Sequence, residues 1–337
     1  MIPKRALRKN IHKLRGKKIA VVYGASSMED AAYMKAVPRD EWSLSAIMAV
    51  LNDCGLTAEH IDPTEPSFVD VVRTFDIAFL NTHGPYGEDG RLQGLLDYLG
   101  IPYTCSGVLA SSIGMDKLVT KAVFRHLNIR TPPNSGLLDL ADPVIPDNVG
   151  LPAMLKAVDG GSSIGLERIK TARDLSRAIR RLVDRGFHRC FLEEFVEGRS
   201  VTASVLVTED GPAVLPLLEC ITEATFYDEE TKLGRTEEAS IEYRVPLDLS
   251  DHITTTVTEG AYALATFLDC KGALRVDYVI DRLGHPYALE INTIPGLQRH
   301  SNLPIACKAA GLTYQVLITT LLAQVVEDTE VLQLVSA

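Results

Sequence analysis

Arg275-Val-Asp-Tyr-Val-Ile-Asp-Arg-Leu-Gly-His-Pro-Tyr-Ala-Leu-Glu-Ile-Asn-Thr-Ile-Pro-Gly296 is the stretch on which the reading of this chain turns. Side chains alternate along a strand, so Arg275 and Asp277 share one face, as do Glu290 and Asn292. Asp281 to His285 supplies a turn between two such strands. Antiparallel pairing then brings Asp277, Glu290 and Asn292 together. Two carboxylates and an amide oxygen form a hard ligand set suited to Mg²⁺ that bridges phosphates. Arg275 beside them is placed to stabilise charge developing in phosphoryl or acyl transfer. The plain alternative is a solvated hairpin face with paired charges. The turn-rich continuation from Asn292 to Gly296 favours a site.

Working upstream, Lys156-Ala-Val-Asp-Gly160-Gly161-Ser162-Ser163-Ile164-Gly165 can expose backbone N–H groups to an anion. Glycine permits the close approach and the unusual backbone angles that such a loop needs. Lys156, on the preceding strand, reaches phosphates as a point charge. The loop lacks the Gly-Lys-Ser/Thr ending of a P-loop, and an ordinary glycine turn fits it equally well. Phe191-Leu-Glu193-Glu194-Phe195-Val196-Glu197-Gly198 is an apolar strand ending in acidic residues. Its backbone and Glu193 can read an adenine edge, or it simply runs out to solvent. Thr131-Pro132-Pro133 marks a boundary, because consecutive prolines stop any helix. A helix is expected from Thr171 to Arg185.

Ile19 to Tyr23 and Ile77 to Asn81 read as short buried strands. Leu44 to Cys54 between them has helical spacing, with Gly55 as its stop. Such a strand–helix–strand unit points to an open parallel sheet, whose ligands sit outside the carboxyl ends of the strands. His83-Gly-Pro-Tyr-Gly-Glu88-Asp-Gly90 directly follows the second strand. One short loop with His, Glu, Asp and three glycines favours a site over a structural histidine.

The 337 residues predict two or three packed subdomains. A hydrophobic share of 46% is enough for a sizeable core, and a net charge of -10 argues against nucleic acid as partner. The 6 cysteines have no metal spacing and read as free thiols in a reducing cytosol. No apolar run is long enough to span a membrane. Lys4, Arg5, Arg8, Lys9, Lys13, Arg15, Lys17 and Lys18 form a basic N-terminal run, expected to be a solvated, partly frayed arm.

Taken in order, these pieces resemble the D-alanine–D-alanine ligase family of ATP-grasp enzymes. The resemblance runs from about Ile19 to Leu322. It rests on His83 to Gly90, Gln93-Gly-Leu-Leu, Leu99-Gly-Ile-Pro-Tyr-Thr, Ser106-Gly-Val-Leu-Ala-Ser, Met115-Asp-Lys117, and Glu290 to Gly296 followed by His300-Ser301. It implies an α/β chain with α+β subdomains: an ATP-grasp fold behind an N-terminal open parallel-sheet domain. The expected divisions are a basic arm (1–18), an N-terminal substrate domain (19–116), a central subdomain with the phosphate loop (117–208) and a C-terminal subdomain with metal site and lid (209–337). Lys117 and Lys156 would hold ATP phosphates, with Ser162 and Ser163 in the covering loop. Glu193, Glu194, Val196 and Glu197 would hold the nucleoside. Asp277, Glu290 and Asn292 would ligate two Mg²⁺, a site open to Mn²⁺ as well. Arg275, the Gly296 N–H, Ser162 and Glu88 form the implied catalytic group. Lys232 and Ser301 would grip the second amino acid, with His83, Arg39 and Tyr227 on the substrate side and Thr222 to Glu238 as lid. A cytoplasmic homodimer acting on amino acids is implied.

The chain also departs from the family. Arg39 stands where a glutamate is expected near the first amino acid's ammonium, although Glu29, Asp40 or Glu41 offer other carboxylates. Leu233 replaces a tyrosine of the lid, and Ser200 a ribose-binding glutamate. A cation at position 39 would repel an ammonium. The expectation is therefore a specialised, natural-product type of amino-acid ligase with altered first-substrate specificity. The alternative is a true D-alanine–D-alanine ligase of wall-precursor synthesis. An inactive ATP-binding protein or a kinase that stops at the phosphorylated substrate ranks behind both.

Overall fold

The computed structural model describes residues 2–25, 34–35, 37–39, 42–160, 165–221, 242–246 and 248–335. The basic arm is not frayed. It forms helix α1 (Ile2–Leu14), whose Leu14 is fully buried. Leu7, Ile11 and Leu14 recur at helical spacing between the charges, so one face can pack while the cations stay in water. The Asn10 side-chain amide donates to Thr319 Oγ1 at 3.3 Å and Thr320 Oγ1 at 3.0 Å, and Lys9 and Lys13 meet Glu209 at 2.7 and 2.8 Å.

Strands β1 (Lys18–Val22), β2 (Thr57–Ile61) and β3 (Ile77–Leu80) form a parallel sheet in the order β2-β1-β3. β1 beyond Lys18 and all of β3 are buried, as continuous apolar runs in a parallel sheet should be. β2 was not foreseen, because Thr57-Ala-Glu-His-Ile is a largely solvent-facing edge. Helix α2 (Ser43–Asp53) lies between β1 and β2 and ends as expected at Gly55. Gly55 has φ 67°, and its N–H and that of Leu56 return to Asn52 and Leu51 carbonyls at 2.9 Å. That left-handed stop satisfies the last carbonyls of the helix. Helices α3 (Phe68–Val72), α4 (Arg91–Leu99), α5 (Val108–Met115) and α6 (Lys117–His126) follow.

The central unit is an antiparallel sheet of β4 (Ala153–Ala157), β5 (Leu166–Ile169) and β6 (Cys190–Glu194), in the order β5-β4-β6. Helix α7 (Ala172–Asp184) covers it with a buried stripe of Leu175, Ala178, Ile179 and Leu182. Thr171 caps this helix, its N–H and Oγ1 both donating to Asp174 at 2.9 Å. This unit has its own core, built from Val149 to Leu192.

The third sheet holds β7 (Gly198–Thr208), β8 (Gly211–Val214), β9 (Leu218–Ile221), β10 (Glu242–Arg244), β11 (Ala273–Asp281) and β12 (Pro286–Asn292), in the order β10-β9-β7-β11-β12 with β8 against β7. Helix α8 (Asp251–Phe267) backs it, and α9 (Asn302–Ala309) and α10 (Tyr314–Val335) close the fold. Because β7 pairs with both β9 and β11, the expected division at 208/209 falls inside one sheet. One core joins Ile19, Val21 and Phe79 of the first sheet to Leu206, Leu218 and Ala273 of the third and Leu317 of α10. No single helix among the described residues is long and apolar enough to cross a membrane.

Candidate active site

The β11–β12 hairpin forms as its alternation requires. Asp277 lies opposite Glu290 and Arg275 opposite Asn292. The register shifts just beyond Asp277, which leaves Leu289 as an extra residue in the ladder. Such a bulge bends the strand and re-aims neighbouring side chains. At the turn, Asp281 Oδ1 accepts from the N–H of Leu283 at 2.9 Å and of His285 at 2.8 Å. Asp277 is held from two sides, by Thr202 Oγ1 of β7 at 2.7 Å and by Arg275 Nη2 at 2.8 Å. Burial pulls the Arg275 guanidinium down, but Asp277 more than offsets it and the net shift is upward. Asn292 Oδ1 accepts from the N–H of Ile294 at 2.9 Å.

Helix α6 delivers cations to this hairpin. Asp116 caps it, accepting from Leu118 and Val119 N–H at 3.0 Å, and so fixes Lys117 in the first turn. Lys117 Nζ donates to the Gly160 carbonyl and lies 3.2 Å from Glu290 Oε2. Burial pushes the Glu290 carboxyl up, but Lys117, Lys156 and Arg275 together bring it down to about 2. Glu290 is therefore ionised at neutral pH, as a metal ligand must be.

Lys156 projects from β4 onto Glu193 of β6. The Glu193 carboxylate does not stand at an open edge for adenine. It is 2% exposed and pairs with Lys121 as well as Lys156. Burial pushes Glu193 up, and the two lysines outweigh that and hold it below the usual carboxylate range. Lys121 was not expected at the site. It is fully buried, and burial pulls its ammonium down to about 8 against the opposing pull of Glu193. Its one available signal is the four-residue spacing from Lys117, which places both on one helix face. Glu194 Oε2 accepts from Gly150 N–H at 3.3 Å, and Val196 is half-buried. Glu197 is exposed and pairs with Arg282 at 2.8 Å.

On the N-terminal side, His83 to Gly90 sits at the carboxyl end of β3. Asp89 folds the loop, accepting from Tyr86 N–H at 2.9 Å and Arg91 N–H at 3.0 Å. Gly90 has φ 94°, and a Cβ there would fall 2.4 Å from Ser112 Oγ. His83 Nδ1 lies 3.9 Å from Glu88 Oε2. The loop after β12 ties this region to the hairpin, because Ile294 is buried among Leu80, Leu92 and Cys105. Gly296 adjoins Ser301, whose Oγ would be 3.2 Å from a Cβ on the glycine. Ser301 Oγ donates to Gln298 Oε1 at 2.9 Å. Arg39 is exposed, with its guanidinium carbon 5.6 Å from the Trp42 ring centre. Ser162, Ser163, Tyr227, Lys232, Leu233, Glu29, Asp40, Glu41 and the expected lid lie outside the described residues.

Among the described residues, no three His, Cys, Asp or Glu side chains converge on one point. Asp277 and Glu290 with Asn292 still fit Mg²⁺, which is commonly held by one or two carboxylates and completes its shell with phosphate oxygens and water. The cations Arg275 and Lys117 occupy the acidic rung in the structure as it stands.

A family model described as the C-terminus of D-ala D-ala ligase matches residues 140–323, and one for the N-terminus matches residues 53–106. The chain belongs to the D-alanine–D-alanine ligase family. Its relatives in that family include D-alanine–D-alanine ligases of Bordetella petrii, 34% identical over 91% of both chains, and Bordetella pertussis, 36% identical over 91% of this chain and 94% of the relative. Among solved structures it is similar to the D-alanine–D-alanine ligase of Bacillus anthracis, at TM-score 0.78 and 28% identity over 93% of this chain and 100% of the other. The same Bacillus anthracis enzyme complexed with ATP matches at TM-score 0.76 and 26% identity, with the same coverage. These relatives favour ordinary family membership over the specialised specificity expected from Arg39 and Leu233.

Proposed function

We propose that this chain joins two D-alanine molecules, converting ATP to ADP and phosphate, as an ATP-dependent carboxylate–amine ligase. The observation that carries the reading is two facing pairs of the hairpin: Asp277 faces Glu290, Arg275 faces Asn292, and Lys117 reaches Glu290 from α6. The family relatives support D-alanine as substrate. Among the described residues nothing favours the specialised alternative; Arg39 is exposed and its guanidinium carbon lies 5.6 Å from the ring centre of the buried Trp42.

The chemistry follows from the charges. A carboxylate oxygen of the first amino acid attacks the γ-phosphorus, the bond to ADP breaks, and an acyl phosphate forms. The amine of the second amino acid attacks that carbonyl, and phosphate leaves with the electron pair of the broken C–O bond. The ammonium proton passes to solvent. Lys117 and Lys156 neutralise phosphate charge, and Arg275 with the Gly296 N–H steadies the tetrahedral oxyanion. Ser301 holds the carboxylate of the second amino acid, with His83 and Glu88 on the first-substrate side. Asp277, Glu290 and Asn292 would hold Mg²⁺, which supplies further neutralisation of the phosphates. Most of the acceleration comes from positioning and charge, as in other phosphoryl transfers.

The test is phosphate release from ATP and Mg²⁺ with single and paired amino acids of both hands, products read by mass spectrometry. D-alanine alone should drive turnover and give its dipeptide. Turnover with another pair and none with D-alanine would reverse the substrate assignment.

A further inference from the structure

Helix α6 carries two lysines one turn apart, and the proposed mechanism uses only Lys117. Lys121 is the more deeply placed, with no exposed side-chain surface. A buried ammonium must satisfy three N–H donors, and here three acceptors surround it. Glu193 Oε2 of β6 is the first. Thr131 Oγ1, in the segment leading to the two prolines, accepts at 2.9 Å. The Leu289 carbonyl accepts at 3.5 Å, and Leu289 is the bulge residue immediately before Glu290. The Phe191 ring lies 6.0 Å away and closes the remaining side.

These contacts belong to different bodies. Glu193 is part of the central sheet, where it also holds Lys156. Leu289 is part of the third sheet, next to the acidic rung. The two sheets have separate cores, so their spacing must be set by contacts that cross between them. Lys117 is one crossing, from Gly160 to Glu290. Lys121 is another. The segment after α6 is also pinned to β12, as Ala288 N–H donates to the Arg130 carbonyl at 2.7 Å.

We propose that Lys121 is a positioning residue for ATP use: it fixes the spacing between the nucleotide strand β6 and the metal strand β12, and aims Lys156 through their shared carboxylate. The assignment rests on the ligase reading above. It goes further in giving a task to a residue that need not touch substrate. ATP must reach both strands at once, so a change in their spacing removes contacts made with the bound nucleotide and raises its KM.

The experiment is steady-state kinetics of the full chain with Lys121→Met, varying ATP and amino acid separately, with a thermal melt of each protein. The expected result is a KM for ATP raised about tenfold or more, with the KM for the amino acid within about twofold of wild type. A purely structural lysine would move both constants together, or neither. If Lys121→Met does not fold, Thr131→Val removes one acceptor at a partly exposed position and should raise the ATP KM several-fold at an unchanged melting temperature. An ATP KM unchanged in the folded variant, or both constants rising in parallel, overturns the assignment while wild-type turnover leaves the ligase reading standing. A wild-type chain that releases no phosphate from ATP with any amino acid overturns both.

Discussion

Thr202 shows how a residue far from any substrate role can set the proposed metal site. Its hydroxyl donates to Asp277 Oδ1 at 2.7 Å from the neighbouring strand, and so fixes the carboxylate's rotation. Groups that orient metal ligands typically affect affinity or activity by about 10–100-fold. Thr202→Val, close in shape but without the hydroxyl, should shift the Mg²⁺ concentration for half-maximal activity upward within that range. A Mg²⁺ titration superimposable on wild type would show that Arg275 alone suffices to hold Asp277. At this scale the sequence is unevenly legible. Asp277, Glu290 and Asn292 follow from period-two alternation and one turn. Lys121 does not, because Lys117-Leu-Val-Thr-Lys121 looks like any solvated helix face until the depth of that face is known. Arg39 is legible only as a charge; the structure adds that its guanidinium carbon lies 5.6 Å from the Trp42 ring centre.

Among the elements, β9 and β10 are tied to β7 by one buried carboxylate. Glu219 accepts from Arg199 Nε at 2.7 Å and Arg244 Nε at 3.0 Å. Hydrogen bonding from Arg199 lowers its pKa, burial opposes this, and Arg244 adds to the lowering. A carboxyl whose folded pKa lies below its unfolded value of 4.5 stabilises the fold fully above that value. The contribution then fades as pH falls through the lower, folded value. Glu219→Gln should therefore melt earlier than wild type at pH 7, and the gap should close on acidification below about pH 4.5. A gap that stays constant down to pH 3 would mean that packing, and not ionisation, makes the contribution. Elements with one strong signal were legible: α7 by its buried stripe and capping pair, α2 by its glycine stop. β2 was hidden because an edge strand needs no apolar run. α1 was hidden because its five lysines and arginines outnumber the three apolar residues at helical spacing.

For the molecule as a whole, the arrangement of cores departs from the expected divisions along the chain. The first and third sheets share buried residues, with Phe79 and Leu218 in one cluster, while the central sheet and α7 are sealed around a cluster of their own. Sequence boundaries at prolines and glycines mark where a chain can bend, but they do not reveal which pieces later pack together. A separate core has a consequence in the time domain. Backbone amides exchange with deuterium through cooperative openings, and a small unit with its own apolar centre can open without the rest. Amides of β4, β6 and α7 should exchange as one fast block, and those of β1, β3, β7 and β11 as a slower one. Uniform exchange across both would mean that the crossings at Lys117 and Lys121 already weld the units together. ATP with Mg²⁺, contacting both, should slow the fast block toward the other, so that nucleotide occupancy becomes readable from deuterium uptake across the whole central unit.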